Sequence, residues 1–196
     1  MDLMQRVRGH FDESIAVTSL VQDILSPQIA QAAEKLMQTL IVDARILACG
    51  NGTSASQVQQ FAAAMVGRFE RERPGLSAIA LTTDTSTITA IANDYDFDMV
   101  YSRQVHAVGR AGDVLLVVST SGNSANVISA IHAAHDRQMS VVALTGRDGG
   151  QIADILAGED IHLCVPVERQ SRIQETHALI IHAICDAIDY LLLGGE

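Results

Sequence analysis

Two short loops combine glycines with hydroxyl side chains, and each stands between an apolar run and a helical stretch. The first reads CGNGTSA at residues 49–55. Its glycines permit a tight turn and close approach of the backbone to a ligand. Thr53 and Ser54 then place hydroxyls at a helix N-terminus, where free N–H groups and the helix dipole attract anions. The loop has neither the GxGxxG pattern nor a Walker A lysine, which disfavours a nucleotide ligand.

The second loop reads STSGNS at residues 119–124 and has four hydroxyl-bearing residues around one glycine. A single serine-rich turn is as readily a helix cap as a ligand site. Two such loops at the carboxyl ends of strands in one sheet favour a phosphate site, because ligands bind at that edge of parallel sheets. Backbone amides and hydroxyls would hold the phosphate. The hydroxyl-bearing residues are Ser119, Thr120, Ser121 and Ser124.

Two further loops admit more than one interpretation. TGRDGG at residues 145–150 could line the same cleft, and we prefer to interpret it as a glycine turn capped by Asp148. Asn93 and Asp94 end a helical stretch after the second strand. Asp94 could hydrogen-bond sugar hydroxyls or cap the next helix, and both interpretations stay open.

The chain alternates short apolar runs with helical stretches, which predicts an α/β fold: a flavodoxin-like, doubly wound, five-stranded parallel sheet. The predicted strands are Ile46–Cys49, Ala78–Leu81, Val114–Val118, Val141–Leu144 and Ile161–Val165. The predicted helices are 53–69, 86–107, 124–137, 150–157 and 171–192.

Residues 1–40 precede the first strand and predict an N-terminal helical arm of two helices, with the break at Ser26-Pro27. Apolar residues recur there at helical spacing, so the arm needs a surface to pack on, and a partner subunit is one answer. Residues 41–196 form the second unit, a single globular domain.

Composition excludes several classes of protein. The 196 residues are 48% hydrophobic, which argues against a disordered protein. The net charge of −10 argues against direct binding to the phosphates of DNA or RNA. Cys49, Cys164 and Cys185 are widely spaced and odd in number, as in reduced thiols of a cytoplasmic protein. The N-terminus lacks a signal-peptide pattern and no 18-residue apolar run occurs, so we expect no membrane association.

The chain resembles the sugar isomerase (SIS) domain family, in the branch that holds phosphoheptose isomerases and DiaA-type proteins. The matching stretches are CGNGTSA (49–55), RFERERP (68–74), LTTDTSTITAIANDYDFD (81–98), GDVLLVVSTSGNS (112–124), VALTGRDGG (142–150) and RIQETH (172–177). The resemblance implies a homotetramer with clefts shared between subunits. It also implies phosphate and sugar contacts at Asn51, Gly52, Thr53, Ser54, Asn93, Asp94, Ser119, Thr120, Ser121, Ser124 and Gln174.

The family's catalytic set is incomplete here. The resemblance implies a His and a Glu four residues apart on the helix after the first loop, and a Gln and a His on the last helix that complete a zinc site. This chain has Gln60 and Ala64 at the first pair and Gln174 and His182 at the second. Ala64 cannot ligate a metal or take a proton, so we expect no intact catalytic set and no metal cofactor. Zinc is expected only if the chain is an isomerase after all.

Another residue could supply the catalytic base that the first pair lacks, and the isomerase site would then still be active. Aldose–ketose isomerisation needs a positioned base and a stabiliser for the charged oxygen. Glu175 lies seven residues before His182, on nearly the same helix face, and either residue could take over as the base. The remaining remnant of a metal site would be Gln174 with His182.

DiaA-type proteins resemble this chain in the GTS form of the first loop and in lacking the glutamate. In them, apolar residues at the C-terminus help to bind the replication initiator DnaA, and the matching positions are Leu192 and Leu193. Exposed leucines suggest a contact patch, although packing of the last helix against a sister subunit is the interpretation that we prefer for them.

These observations predict a cytoplasmic, DiaA-like homotetramer that binds DnaA and promotes replication initiation, with a sugar-phosphate pocket and a degraded isomerase site. The alternative is a phosphoheptose isomerase that converts sedoheptulose 7-phosphate to glycero-manno-heptose 7-phosphate for lipopolysaccharide precursor synthesis. A third interpretation is a sugar-phosphate sensor with neither activity.

Overall fold

The computed structural model describes residues 2–195 and contains one five-stranded sheet. All paired strands are parallel, in the order β2-β1-β3-β4-β5. The strands are β1 (Ile46–Gly50), β2 (Ala78–Ala80), β3 (Val114–Ser119), β4 (Ser140–Gly146) and β5 (Ile161–Val165). The predicted α/β class and the five strands are confirmed: β5 has the predicted bounds, and the other strands differ from theirs by one or two residues at an end.

Seven α-helices cover the sheet in the described part of the chain. They are α1 (Leu3–Ile41), α2 (Thr53–Val66), α3 (Thr85–Asp94), α4 (Ser102–Val108), α5 (Ala125–Asp136), α6 (Gly150–Ile155) and α7 (Gln170–Leu193). One face of the sheet packs against α1, α2 and α7, and the other against α4, α5 and α6. Every residue of β1 and β3 is buried, as expected for strands covered on both faces.

The strand register brings the predicted site loops together. Gly50, the last residue of β1, pairs with Val118, and Ser119 at the end of β3 pairs with Thr145 of β4. The loops that follow β1, β3 and β4 therefore leave the sheet side by side at its carboxyl edge.

The prediction of two N-terminal helices is wrong, because α1 is continuous for 39 residues with Pro27 inside it. Proline removes one N–H from the helical ladder. The neighbouring Ser26 hydroxyl donates to the carbonyl oxygen of Gln22 at 2.6 Å, one residue before the Asp23 carbonyl that loses its helical donor at Pro27. Buried side chains continue on both sides of the proline, with Leu25 before it and Ala32 after it, so packing on the core favours the unbroken helix.

The single helix predicted over residues 86–107 is also wrong. The chain forms α3, then a short 3-10 helix at Phe97–Met99, then α4. Asp96 is the reason for the new start, since its side chain accepts from the backbone N–H of Asp98 at 2.9 Å. A side-chain acceptor of this kind competes with continued α-helix.

The C-terminal helix α7 is, in the described chain, the one helix long and apolar enough to cross a bilayer by length and composition alone. That is weak evidence, because core helices meet the same criterion. Ile173, Ile180, Ile184 and Ile188 are buried in the core that α7 shares with α1 and α2. This apolar face is therefore occupied by packing within the chain.

Candidate active site

The first glycine loop is held at its start by one side chain from outside it, Tyr101. Gly50 has no room for a side chain, since a Cβ there would lie 2.7 Å from the carbonyl oxygen of Val118. The buried hydroxyl of Tyr101 donates to the carbonyl oxygen of Gly50 at 2.6 Å. Gly52 adopts a φ of +56° and begins α2, which glycine permits without strain.

A reciprocal amide pair joins the first loop to the helix that follows the second. Asn51 donates through Nδ2 to Oδ1 of Asn126 at 2.8 Å, and Asn126 donates through Nδ2 to Oδ1 of Asn51 at 2.9 Å. The two loops therefore form one unit. Sequence reasoning missed Tyr101 and Asn126, because their partners lie about 50 and 75 positions away in the chain.

The N-termini of α2 and α5 have no side-chain cap. Gly52 precedes α2 and Ser124 precedes α5, and neither makes a capping hydrogen bond. The Ser124 hydroxyl instead lies 3.3 Å from the hydroxyl of Ser119. The interpretation of Ser124 as a simple helix cap therefore does not hold. The N–H groups of Ser54 and Val127 donate to the carbonyl oxygens of Asn51 and Ser124, and the other first-turn N–H groups of both helices stay available to an anion.

The loop after β4 supports the loop after β3. Gly122 has a φ of +64°, and a Cβ there would lie 1.8 Å from the carbonyl oxygen of Gly149. Asn123 accepts through Oδ1 from the N–H of Gln151 at 3.0 Å. Asp148 accepts from the N–H of Gly150 at 3.0 Å. This hydrogen bond agrees with our interpretation of the segment as a glycine turn capped by Asp148. Close packing of two glycine loops thus holds the serine loop in shape.

Asn93 and Asp94 lie exposed at the end of α3. The amide of Asn93 donates to Oδ1 of Asp94 at 2.9 Å. The following 3-10 helix is capped by Asp96, so the capping role proposed for Asp94 is excluded. Its carboxylate remains a candidate for hydrogen bonds to sugar hydroxyls.

The crossing of α2 with α7 brings together two of the four positions at which the family pattern has catalytic groups, Gln60 and His182. Nε2 of Gln60 lies 2.8 Å from Nε2 of His182. One turn earlier on α2, Gln57 donates to the backbone carbonyl oxygen of Gln174 at 2.7 Å. The ring of Phe69 lies beside His182, with centroids 5.7 Å apart. Ala64 packs its methyl group against the core and adds no polar group.

Glu175, the other candidate base, belongs to a different network. It accepts from Arg172 at 2.8 Å and from the Ser14 hydroxyl of α1 at 3.2 Å. It shares no hydrogen-bond partner with His182. Among the candidates predicted from sequence, His182 is therefore the acid–base group that lies at the helix crossing.

The side chains at the crossing do not fit zinc. Zinc prefers thiolates, imidazoles and carboxylates, whereas the four positions of the family pattern carry one imidazole, two amides and a methyl group in this chain. Nε2 of that imidazole is already hydrogen-bonded to Gln60. Within residues 2–195, no three His, Cys, Asp or Glu side chains lie close enough to hold a metal ion together.

Buried titratable groups near the sheet edge have structural roles. Burial lowers the pKa of His177 to about 4, although its hydrogen bond to the carbonyl oxygen of Thr145, at 2.8 Å, acts in the opposite direction. Burial also raises the pKa of the Cys49 thiol, so this cysteine is an unreactive core residue.

Leu192 and Leu193 lie in the last turn of α7 and are 37% and 38% exposed. Among residues 2–195, no hydrogen bond or ion pair involves either side chain.

Comparisons with known proteins agree along the whole chain. The family model described as "SIS domain" matches residues 10–146. A phosphoheptose isomerase from Laribacter hongkongensis is 63% identical over 196 residues, 100% of both chains. One from Azoarcus is 56% identical over the same length, again 100% of both chains.

Solved structures give the same result. Phosphoheptose isomerase GmhA from Neisseria gonorrhoeae has a TM-score of 0.91 and 57% identity, covering 96% of this chain and 99% of that one. A phosphoheptose isomerase from Francisella tularensis has a TM-score of 0.94 and 43% identity, with the same coverage.

The expectation of a DiaA-type adaptor for DnaA is wrong. The similar proteins that match this chain end to end are phosphoheptose isomerases, which supports the alternative. The expectation gave too much weight to two substituted positions, Gln60 and Ala64, and too little to the agreement of the remaining chain. Leu192 and Leu193 accordingly lose their assignment as DnaA contacts.

Proposed function

We propose that this chain, which belongs to the phosphoheptose isomerase family of SIS-domain proteins, binds a phosphorylated heptose and interconverts its ketose and aldose forms. The proposed pair is sedoheptulose 7-phosphate and glycero-manno-heptose 7-phosphate. The observation that carries the proposal is the joining of two loops with uncapped helix N-termini at one sheet edge.

The phosphate end of the substrate fits these loops. The phosphate would lie at the sheet edge where β1 and β3 end. Two kinds of donor face it there: first-turn amides of α2 and α5, and the hydroxyls of Ser119 and Ser124. Partial positive charge at helix N-termini favours a phosphate dianion, so an acidic chain can bind it without lysine. The remaining proposed contacts of this kind are Asn51, Gly52, Thr53, Ser54, Thr120 and Ser121.

The sugar end extends toward polar groups of other elements. We assign the Asp94 carboxylate and the Asn93 amide to sugar hydroxyls, since Asp94 caps no helix and both side chains are exposed. The Gln174 side chain, on the turn of α7 that Gln57 holds, is the third such contact.

The isomerisation moves protons and consumes no other reactant. A base takes a proton from C1 of the ketose while the oxygen on C2 gains one, which gives an enediol. The base then returns its proton to C2 while the oxygen on C1 loses one, which gives the aldose. We assign the base to His182. Its Nε2 now accepts from Gln60, so the substrate must displace that amide first.

We expect slow turnover. A positioned acid or base contributes about 10²- to 10⁴-fold to such a reaction, and Ala64 supplies none. Recruitment of Glu175 would require it to leave Arg172 and Ser14.

We also propose a cytoplasmic homotetramer. The first half of α1 exposes large apolar side chains that the chain itself does not cover, as expected of a helix that packs on another subunit. They are Leu3, Met4, Val7, Phe11 and Ile15.

The test is to incubate the purified protein with sedoheptulose 7-phosphate and to follow the aldose product by ¹H NMR. We expect product with the natural chain, loss of turnover in His182→Gln, and unchanged turnover in His132→Gln, an exposed histidine on α5. Calorimetric titration of the same sugar phosphate measures binding separately. Absence of turnover, or turnover that survives His182→Gln, would contradict the proposal.

A further inference from the structure

We infer that Gln60 occupies the nitrogen of His182 that a metal would need, so that this site holds its sugar phosphate without zinc. Only the identity of the ligand, a sugar phosphate, rests on the proposed function. Its metal-binding tests do not require turnover.

The first support is the chemistry of the donors. Gln60 and Gln174 present neutral amides, Ala64 presents a methyl group, and His182 is the single imidazole. Neutral amides are weak ligands for zinc beside imidazole or thiolate. No Asp, Glu or His occurs anywhere between Ala44 and Phe69, so no neighbour on α2 can supply the missing charge.

The second support is the hydrogen bond itself. An amide nitrogen can only donate, so Nε2 of His182 must accept from Gln60 across their 2.8 Å contact. The neutral ring then has its proton on Nδ1. A metal ion ligated by Nε2 needs the same lone pair, and this hydrogen bond would have to break before zinc could bind.

The third support is that side-chain contacts, with no metal ion, join α2 and α7 where they cross. Buried Gln57 donates to the carbonyl oxygen of Gln174 at 2.7 Å, one turn of α2 away from Gln60. Phe69 packs beside the His182 ring. Two glutamine hydrogen bonds and one aromatic contact therefore join α7 to α2 and to the segment after it without a metal ion.

The decisive experiment compares zinc binding by the natural chain, by the double variant Gln60→His/Ala64→Glu, and by that variant with His182→Gln added. Each protein is stripped with a chelator and titrated calorimetrically with zinc chloride. We expect no zinc site in the natural chain that depends on His182. We expect one zinc ion per chain in the double variant, and its loss in the triple variant.

A second measurement tests the role of Gln60 directly. In ¹⁵N-edited NMR spectra, we expect the neutral imidazole of His182 to show its proton on Nδ1. Gln60→Leu should remove this preference, whereas Gln59→Leu, a neighbouring exposed glutamine on α2, should leave it unchanged.

The outcomes separate the inference from the proposed function. Stoichiometric zinc in the natural chain that disappears in His182→Gln would overturn the inference, as would a ring proton on Nε2 that Gln60→Leu does not affect. A protein without zinc and without turnover would leave the inference standing and contradict the isomerase assignment. A protein with turnover that chelators do not affect would support both.

Discussion

The hydroxyl of Tyr101 donates to the carbonyl oxygen of Gly50 at 2.6 Å, which links the residue before α4 to the last residue of β1, where the first glycine loop leaves the sheet. Burial raises the pKa of this phenol, so it stays a donor at any physiological pH. We predict that Tyr101→Phe lowers the free energy of unfolding by about 1 kcal/mol, the usual net effect of one hydrogen bond. Binding of the sugar phosphate should weaken several-fold, measured by calorimetry.

The matched control is Tyr95→Phe, because Tyr95 is exposed and its hydroxyl contacts the Arg103 side chain alone. It should leave affinity unchanged. If Tyr101→Phe binds the sugar phosphate as tightly as the natural chain, Tyr101 does not position the loop.

The variant Ser124→Ala tests whether Ser124 binds the ligand or caps α5. Its hydroxyl makes no capping hydrogen bond, so Ser124→Ala should change the free energy of unfolding by less than about 0.5 kcal/mol. The dissociation constant for the sugar phosphate should rise about tenfold, because a hydrogen bond to a charged group is lost.

The control is Asp84→Ala, which should lower stability and leave binding unchanged, the opposite of the result expected for Ser124→Ala. The Asp84 side chain caps α3 by accepting from the N–H of Thr87 at 3.1 Å. This variant should lower the melting temperature and leave binding unchanged. Loss of stability without loss of affinity in Ser124→Ala would return that serine to a capping role.

The place of the two glycine loops in the fold could be predicted from the sequence because the signals for it are local. The glycines and hydroxyls of residues 49–55 and 119–124 stand directly after apolar strands, and the parallel sheet brings them to one edge. The supports of those loops are not local. Tyr101 and Asn126 meet their partners only after the chain has folded, and neither has a sequence pattern of its own.

The errors in the prediction have physical causes. Pro27 is a helix breaker by local propensity, yet burial of the α1 stripe on both sides of it outweighs one lost hydrogen bond. The break after Asp94 follows from the side-chain bond of Asp96, which spacing alone does not reveal. The functional error arose because a few features, among them the GTS form of the first loop and the substitutions at Gln60 and Ala64, favoured the DiaA type, whereas similarity over the whole chain is to phosphoheptose isomerases.

A buried ion pair holds the end of α2. Nε of Arg73 lies 2.5 Å from Oδ1 of Asp189, and Nη1 and Nη2 of Arg73 donate to the carbonyl oxygens of Met65 and Ala64. Asp189→Ala leaves a buried guanidinium without its counter-charge, which costs about 3 to 5 kcal/mol in denaturant unfolding.

The exposed pair of Arg68 with Glu72 is the control. Glu72→Ala should change stability by less than about 1 kcal/mol. A double replacement, Arg73→Met with Asp189→Leu, should cost less than Asp189→Ala alone, because no unpaired charge remains buried. Equal effects of Asp189→Ala and Glu72→Ala would contradict the assigned role of the buried pair.

His177 makes stability depend on pH. Burial lowers its pKa from 6.5 to about 4. Between these values the unfolded chain binds a proton that the folded chain does not, so the free energy of unfolding falls as pH falls. The slope from this group is up to roughly 1.4 kcal/mol per pH unit. Urea unfolding at pH 7, 6, 5 and 4.5 measures it.

His177→Gln removes the titrating group and should flatten the dependence over that range. His132→Gln, on the surface of α5, should leave the slope as it is. An unchanged slope in His177→Gln would mean that another group titrates there.

The exposed apolar side chains at the start of α1 should lie between subunits. Phe11 and Ile15 are each 67% exposed in the single chain and four residues apart, on one face of the helix. We predict that Phe11→Asp with Ile15→Asp lowers the mass measured by light scattering from four chains to one or two, because charges would then be buried at the contact. Ser19→Asp puts the same charge at an exposed polar position of α1 and should keep four chains. If the natural chain is monomeric, this face has another purpose and the site is complete within one subunit.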